Sequence, residues 1–334
     1  MSEKPIVHEG CQKVEVKTQL HVLLSKQILS QLFPNTNIMK NLRSLTIGNI
    51  SQAVLEEIFA NCGQLQSLML WDRLGPGILY NIRNIGLCRT LRVLMLPLEI
   101  ATPLAVCRLV NLTHLTLQRQ NVWPGIDWLC TVAAIIQARR FDLQELSFNG
   151  SWLVAPLDLS RLNLANCTAL TDLKLSNCSL SELGCPPLPL TCQRISFRRC
   201  SVVKLHSYTR THALLQNLEV FDCQVLSEAP LLRRILSLRK RLTDHAPLLL
   251  TFSQSPKLRS EHTEWTQEEV NEFSRWLKVK ELEPQQADTW NQPLGTVSMN
   301  FSSSINYLPN LSLPEDSIPN AADIVQRLDP LQGD

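Results

Sequence analysis

The chain lacks most of the features that announce an enzyme. Eleven glycines in 334 residues are few for loops that cradle phosphate, and neither a P-loop nor a dinucleotide fingerprint is present. There is no G-x-S-x-G elbow and no H-E-x-x-H pair, so nothing points to a serine hydrolase of that type or to a zincin. Cys192, Cys200, His206 and His212 match no usual zinc spacing. No apolar run is long enough to span a bilayer. The opening MSEKPIVHEGCQKVEVK carries charges of both signs and no apolar stretch, so a secretory leader is not expected. Aromatic residues make up 6% of the chain, and none lies between Cys223 and Leu250, where the densest basic run falls. Nucleic-acid binding there would call for aromatic residues interleaved with the basic ones. These absences predict a non-enzyme with no cofactor, no metal, no membrane segment and little affinity for nucleic acid.

What the chain does have is repetition. An apolar residue, two variable ones, Leu or a substitute, one variable residue and another apolar residue recur eight times. The copies start at Leu42 (LRSLTI), Leu65 (LQSLML), Leu91 (LRVLML), Leu112 (LTHLTL), Leu143 (LQELSF), Leu170 (LTDLKL), Cys192 (CQRISF) and Leu218 (LEVFDC). The steps between starts are 23, 26, 21, 31, 27, 22 and 26 residues. That pattern and period are those of leucine-rich repeats. The expected fold is α/β: a solenoid curved as a horseshoe, with a parallel sheet on its concave face and helices or irregular returns on the convex face. Leu159, Leu162, Leu164 and Cys167 also fit the pattern, but that copy begins 11 residues before Leu170 and is assigned to a return. PLLLTF, from Pro247, is a candidate ninth strand.

The cysteines follow the repeats. Cys178 and Cys200 lie eight residues after Leu170 and Cys192, and Cys62, Cys88 and Cys167 each precede the next Leu by three. Free cysteine behaves as a small, readily buried apolar residue. With 11 cysteines, an odd number, the reading is reduced core thiols in a cytoplasmic or nuclear protein. Seven Asn-x-Ser/Thr triplets, including Asn111, Asn149 and Asn177, are then turn residues and not glycan acceptors.

Four segments emerge. Residues 1–35 read as an N-terminal cap, with a short strand around Val14 and Val16 and a helix from Gln19 to Phe33. Residues 36–253 hold the repeats, and AVLEEIFA (Ala53 to Ala60) is a helical return. Residues 254–283 comprise a linker and an amphipathic helix opened by Thr266 and Glu269 at capping-box spacing, its stripe running Val270, Phe273, Leu277. Residues 284–334, rich in Pro, Ser, Asn and Gln, read as a mostly disordered acidic tail. From Pro256 onward there are 6 basic and 13 acidic residues, against 26 and 17 before it. The body therefore favours an acidic partner, or the tail folds back on it. The run Arg233, Arg234, Arg239, Lys240, Arg241 reads as a solvated helix face, with a localisation signal as the alternative.

A strand alternates its faces, so residues two, four and six after each first Leu line the concave surface. Two zones appear when the copies are set in register. One is apolar: Met69, Trp71, Val93, Met95 and Pro97. The other is charged: Glu145 and Asp172, Lys174, Arg194 and Arg198, with His114 between the zones. The last copy contributes Val220, Asp222 and Gln224. Exposed apolar patches, and Trp and Arg in particular, mark contact sites. A protein partner is expected on this face, with the chain itself monomeric.

NCTALTDLKLSNCSL, and less closely NCGQLQSLML and LCRTLRVLML, resemble the cysteine-containing repeats of the F-box/leucine-rich-repeat family over roughly residues 36–253. The resemblance implies repeats that hold a substrate while an N-terminal F-box docks on a ubiquitin-ligase scaffold. The segment QLHVLLSKQILSQLF lacks the Leu-Pro start and the following Val-Cys-x-x-Trp of an F-box. The leading expectation is therefore a non-enzymatic interaction scaffold, with a ligase substrate receptor as the alternative.

Overall fold

A computed structural model describes residues 13–17, 36–48, 50–71, 80–97, 100–118, 128–150, 159–180, 188–202, 205, 214–225, 230–242, 246–283 and 298–300. The protein is α/β, built on one open parallel sheet. Its strands are β1 (Lys13–Lys17), β2 (Ser44–Gly48), β3 (Ser67–Trp71), β4 (Val93–Pro97), β5 (His114–Gln118), β6 (Glu145–Asn149), β7 (Asp172–Ser176) and β8 (Arg194–Arg198), followed by β10 (Asn217–Phe221), β12 (Leu248–Ser253) and β13 (Leu277–Glu281). Along the chain each of these pairs with the one before it, always parallel. A short β14 (Ser298–Asn300), which falls within the 284–334 tail, pairs with β1 at the far edge. The rest of that tail and the expected helix from Gln19 to Phe33 lie outside the described residues. Two-residue strands β9 (Ser201–Val202) and β11 (Gln224–Val225) form a second small parallel sheet.

The repeat pattern explains this order. The first apolar position of each copy is buried at Leu42, Leu65, Leu91, Leu112, Leu143, Leu170 and Cys192, and so are both later apolar positions, from Leu45 and Ile47 to Ile195 and Phe197. These side chains stack on their counterparts in the next turn and form one continuous core. Backbone bonding repeats too. The carbonyl just after the first Leu accepts two N–H groups from the next copy: Arg43 O from Gln66 and Ser67 at 2.7 and 2.9 Å, and Gln66 O from Arg92 and Val93 at 2.8 and 3.0 Å. The same fork recurs through Gln193 O, which takes Gln216 and Asn217 at 2.9 and 3.0 Å.

The described returns between strands hold both α-helices and 3-10 turns. α1 (Thr36–Asn41) precedes β2, α2 (Gln52–Asn61) follows it, and α3 (Trp128–Ala138) precedes β6. Ser51 caps α2 by accepting from Val54 N at 3.3 Å. The described returns ahead of β4, β5 and β7 use 3-10 turns, at Arg83–Leu87, Pro103–Arg108, Leu159–Leu162 and Leu164–Asn166. A 3-10 turn rises faster per residue than an α-helix, so it suits the shorter returns. The last two place Leu159, Leu162 and Leu164 in a return, as the spacing predicts.

Three readings are corrected. The eighth copy starts at Leu215, not Leu218. Leu218 pairs in register with Ile195, which makes Val220 a core residue at 0% exposure and turns Asn217, Glu219 and Phe221 to the other face. Both starts put Leu on the first position, and only pairing with β8 decides between them. Second, the parallel sheet does not end at Ser253. Beyond β12, which is the PLLLTF strand, come α5 (Pro256–Thr263), α6 (Gln267–Phe273) and then β13 on the sheet. The capping box forms, with Glu269 N donating to Thr266 Oγ1 at 3.2 Å and Thr266 N to Glu269 Oε2 at 3.0 Å. The helix nevertheless stops at Phe273, and Leu277 is buried as the first residue of a strand.

Third, the basic run is a solvated face except at one position: Arg233, Arg234, Lys240 and Arg241 are exposed, and Arg239 is not. It lies on α4 (Leu231–Lys240), where Arg239 is completely buried and its Nη2 donates to Ala246 O at 2.8 Å. Arg233 bonds Glu269 at 3.1 Å, Lys240 lies 3.5 Å from Glu272, and the Lys240 ammonium sits over the Phe273 and Trp276 rings at 4.9 and 4.8 Å. Part of the acidic C-terminal region thus does fold back onto the basic body. Buried Glu261 accepts from Leu232 N at 2.7 Å in the first turn of α4, where a carboxylate is favoured.

The register is open to a direct test. Val220→Asp places an unpaired charge in the core and should cost several kcal/mol. Glu219→Gln should change stability by about 1 kcal/mol or less. Thermal melts of both variants check this; an unperturbed Val220→Asp protein would restore the Leu218 start.

Candidate functional site

The face of the sheet turned away from the core is built from three residues per strand, stacked in columns by the parallel register. One column runs Ser67, Val93, His114, Glu145, Asp172, Arg194 and Asn217. The next runs Thr46, Met69, Met95, Thr116, Ser147, Lys174, Ser196 and Glu219. The third includes Trp71, Gln118, Asn149, Ser176, Arg198 and Phe221. All ten candidate residues stand in these columns, so the predicted register holds from Leu42 through Cys192.

The apolar zone is less open than the sequence suggests. Met95 is only 7% exposed, and Gln118 Nε2 reaches its Sδ at 3.9 Å. Pro97 is buried as well, while Met69 and Val93 are half-buried. The side chain of Trp71 lies outside the described residues. Met95 is thus a packing residue, because a long side chain in a central column is enclosed by its neighbours on both sides.

The charged zone is a ladder. Lys174 Nζ sits 2.7 Å from Glu145 Oε2 across β6 and β7. Arg194 Nη1 lies 3.2 Å from Asp172 Oδ1, and Arg194 Nε lies 3.9 Å from Glu219 Oε1. Thr171 Oγ1 also donates to Asp172 at 2.8 Å. Burial raises the Glu219 carboxyl above its usual range, although Ser196 and Arg194 pull the other way. Glu219 is the member that the sequence register missed. Its only signal was the Leu215 start, which puts it level with Lys174 and Ser196. The acids on this face neutralise Lys174 and Arg194 locally, so the zone is a pattern of alternating sign and not a basic patch. His114 is half-buried, with its Nδ1 2.8 Å from Thr113 Oγ1.

Past the strands, a second ladder fixes the turns. Asn177, Arg199, Asp222 and Gln254 all take the left-handed conformation, with φ between 50° and 53°. The residues after them, Cys178, Cys200, Cys223 and Ser255, point inward and donate to main-chain carbonyls. Cys200 Sγ reaches Leu175 O at 3.2 Å, and Cys223 Sγ reaches Phe221 O at 3.2 Å. Asn177 Nδ2 donates to Asn149 Oδ1 at 2.7 Å, which gives two of the sequon asparagines structural partners. The nine described cysteines are free thiols. Burial pushes Cys62, Cys192 and Cys200 up to about 12 and Cys88 and Cys167 up to about 11.

Among the described residues no three His, Cys, Asp or Glu side chains are grouped to hold a metal, and His206 and His212 lie outside them. No described helix is long and apolar enough to cross a membrane. No family model matches the chain, and a search of curated proteins finds no match either.

Two outcomes follow from the thiols. At pH 8 Cys130, which is exposed, should alkylate readily. Cys62, Cys88, Cys167, Cys192 and Cys200 should react on the order of 100-fold slower until the protein is unfolded, because the thiolate is the nucleophile. Mass spectrometry of iodoacetamide-treated native and denatured protein checks this. In the fold these thiols hold their protons beyond the ordinary value of 9.0, so their contribution to stability is complete below pH 9 and is lost as pH rises toward 11 to 12. Denaturant midpoints measured from pH 8 to 11 should fall.

Proposed function

We propose that the chain is a leucine-rich-repeat protein and a non-enzymatic interaction scaffold, whose docking site for a protein partner is the sheet face turned away from the core. The repeat identity is supported by the Leu ladder, the Cys178–Cys200–Cys223 ladder at the Asn/Cys position, and an open sheet whose strands follow chain order. In such an architecture the sheet face is the concave surface.

The observation that carries the functional reading is the composition of that face. The repeated apolar positions of each copy are spent on the core, and the positions between them carry Met69, Val93, His114, Lys174, Arg194 and Arg198 on this face in neighbouring columns. Half-buried apolar side chains next to alternating charges give a partner both contact area and a polarity pattern to match. Alternating charge favours selectivity over bulk attraction, since a partner of uniform sign meets a like charge on one strand or the next.

Blocking substitutions test this without disturbing the core. Thr116 and Ser147 are half-buried residues in the central column of adjacent strands. The double variant Thr116→Arg, Ser147→Trp should lose the partners that wild type captures from cells, while its melting temperature stays within about 3 °C of wild type. Arg83→Glu, in a return, should retain them. Equal capture by wild type and the Thr116→Arg, Ser147→Trp variant contradicts the reading. Recovery of a ubiquitin-ligase adaptor with wild type would assign the scaffold to that machinery.

A further inference from the structure

A second surface lies along the edge where the chain enters β4, β5 and β6. There the turn residues Val110 and Phe141 are each 63% exposed, unusual for large apolar side chains, and they occupy the same place in successive turns. Basic residues surround them. Arg89 and Arg92 are exposed ahead of β4, and the Arg140 guanidinium lies 4.5 Å above the Phe141 ring. The turns are tied together: Asn111 Nδ2 donates to Arg89 O at 2.8 Å, and Arg139 Nη1 to Leu109 O at 3.1 Å. The acid on this edge, Asp142, is 3.7 Å from Arg139. Among the described residues Arg89, Arg92 and Arg140 form no ion pair. On α4, by contrast, Glu269 and Glu272 already face Arg233 and Lys240.

The complement to this rim is in the chain itself. Residues 315–334, EDSIPNAADIVQRLDPLQGD, carry Glu315, Asp316, Asp323, Asp329 and Asp334 against one base, Arg327. Ile324, Leu328 and Leu331 recur among those acids at intervals of four and three. The segment therefore offers apolar groups interleaved with negative charge, where the rim offers apolar groups interleaved with positive charge.

Reach is also satisfied. β14 holds Ser298–Asn300 beside β1, so β4 to β6 lie four to six strands away. At ~4.8 Å per strand that is about 20–30 Å. A random coil of the length from Asn300 to Glu315 would have a root-mean-square span of about 21 Å. A tether that matches the distance between its sites gives a local concentration on the order of millimolar, enough for weak contacts to form within one molecule.

We infer that the acidic segment 315–334 docks within the same molecule on the rim formed by Arg89, Arg92, Val110, Arg140 and Phe141. Such docking occupies the edge beside the sheet face and is independent of whether that face takes a partner. The test uses the full chain with a photoreactive benzoylphenylalanine in place of Leu328, irradiated at low protein concentration. Cross-links are expected within single chains, to peptides containing Val110 and Phe141. Their yield should fall at least about fivefold in about 0.5 M salt, where charge attraction is screened within a few ångströms. A similar loss is expected with Arg89→Glu, Arg140→Glu and, separately, with Asp323→Lys, Asp329→Lys. The tail variant lies outside the repeats, so it decides the matter if the rim variant melts early. Cross-links elsewhere on the body, cross-links that join two copies, or a yield indifferent to both charge reversals would overturn the inference.

Discussion

Everything in this structure depends on the fit between one repeat and the next. A single turn cannot bury its Leu face, and its strand has no partner for its backbone within itself. The neighbouring turn supplies both at once: Leu65, Leu68 and Leu70 stack on Leu42, Leu45 and Ile47, while Arg43 O takes two N–H groups from the following copy. A buried Leu contributes roughly 1.5–3 kcal/mol, and a main-chain bond left unmade in that interior costs a comparable amount. The copies must therefore stay in register, because a slip of one residue would carry every Leu to the wrong face.

That constraint explains why so much was legible in the sequence. Wherever the copies kept Leu at fixed spacing, from Leu42 to Leu170, strand bounds and facing residues followed directly. Legibility ended where apolar residues stood close enough to fit two registers. At 215–221 the run LQNLEVF offers two starts, and only the ladder with β8 selects Leu215. At 273–277 a helical spacing of Phe273 and Leu277 is real in the sequence, but the open edge of β12 draws Leu277 into a strand instead. The burial of Met95 was hidden for another reason, since the pattern tells which face a side chain points to and not how closely its neighbours enclose it.

Charge follows a similar logic of local pairing. The sequence shows a basic body and an acidic C-terminal region. In the structure, some of that opposition becomes packing: Glu269 and Glu272 hold the last helix against α4, and Lys240 lies over two aromatic rings. On the sheet face, Glu145, Asp172 and Glu219 sit among Lys174 and Arg194, leaving a patterned surface in place of a uniformly basic one. The fixed residues build the stack, and the residues between them carry whatever distinguishes this chain from any other of the same architecture.

The central claim is that the sheet face, and not the returns, receives the partner. Hydroxyl-radical footprinting of the protein alone and in complex with a captured partner addresses it most directly, since Met69 and His114 are reactive side chains on that face. The account predicts reduced oxidation of Met69 and His114 in the complex, with Leu87 and Leu104 on the returns unchanged. Protection of Leu87 and Leu104 while Met69 and His114 oxidise as before would contradict it.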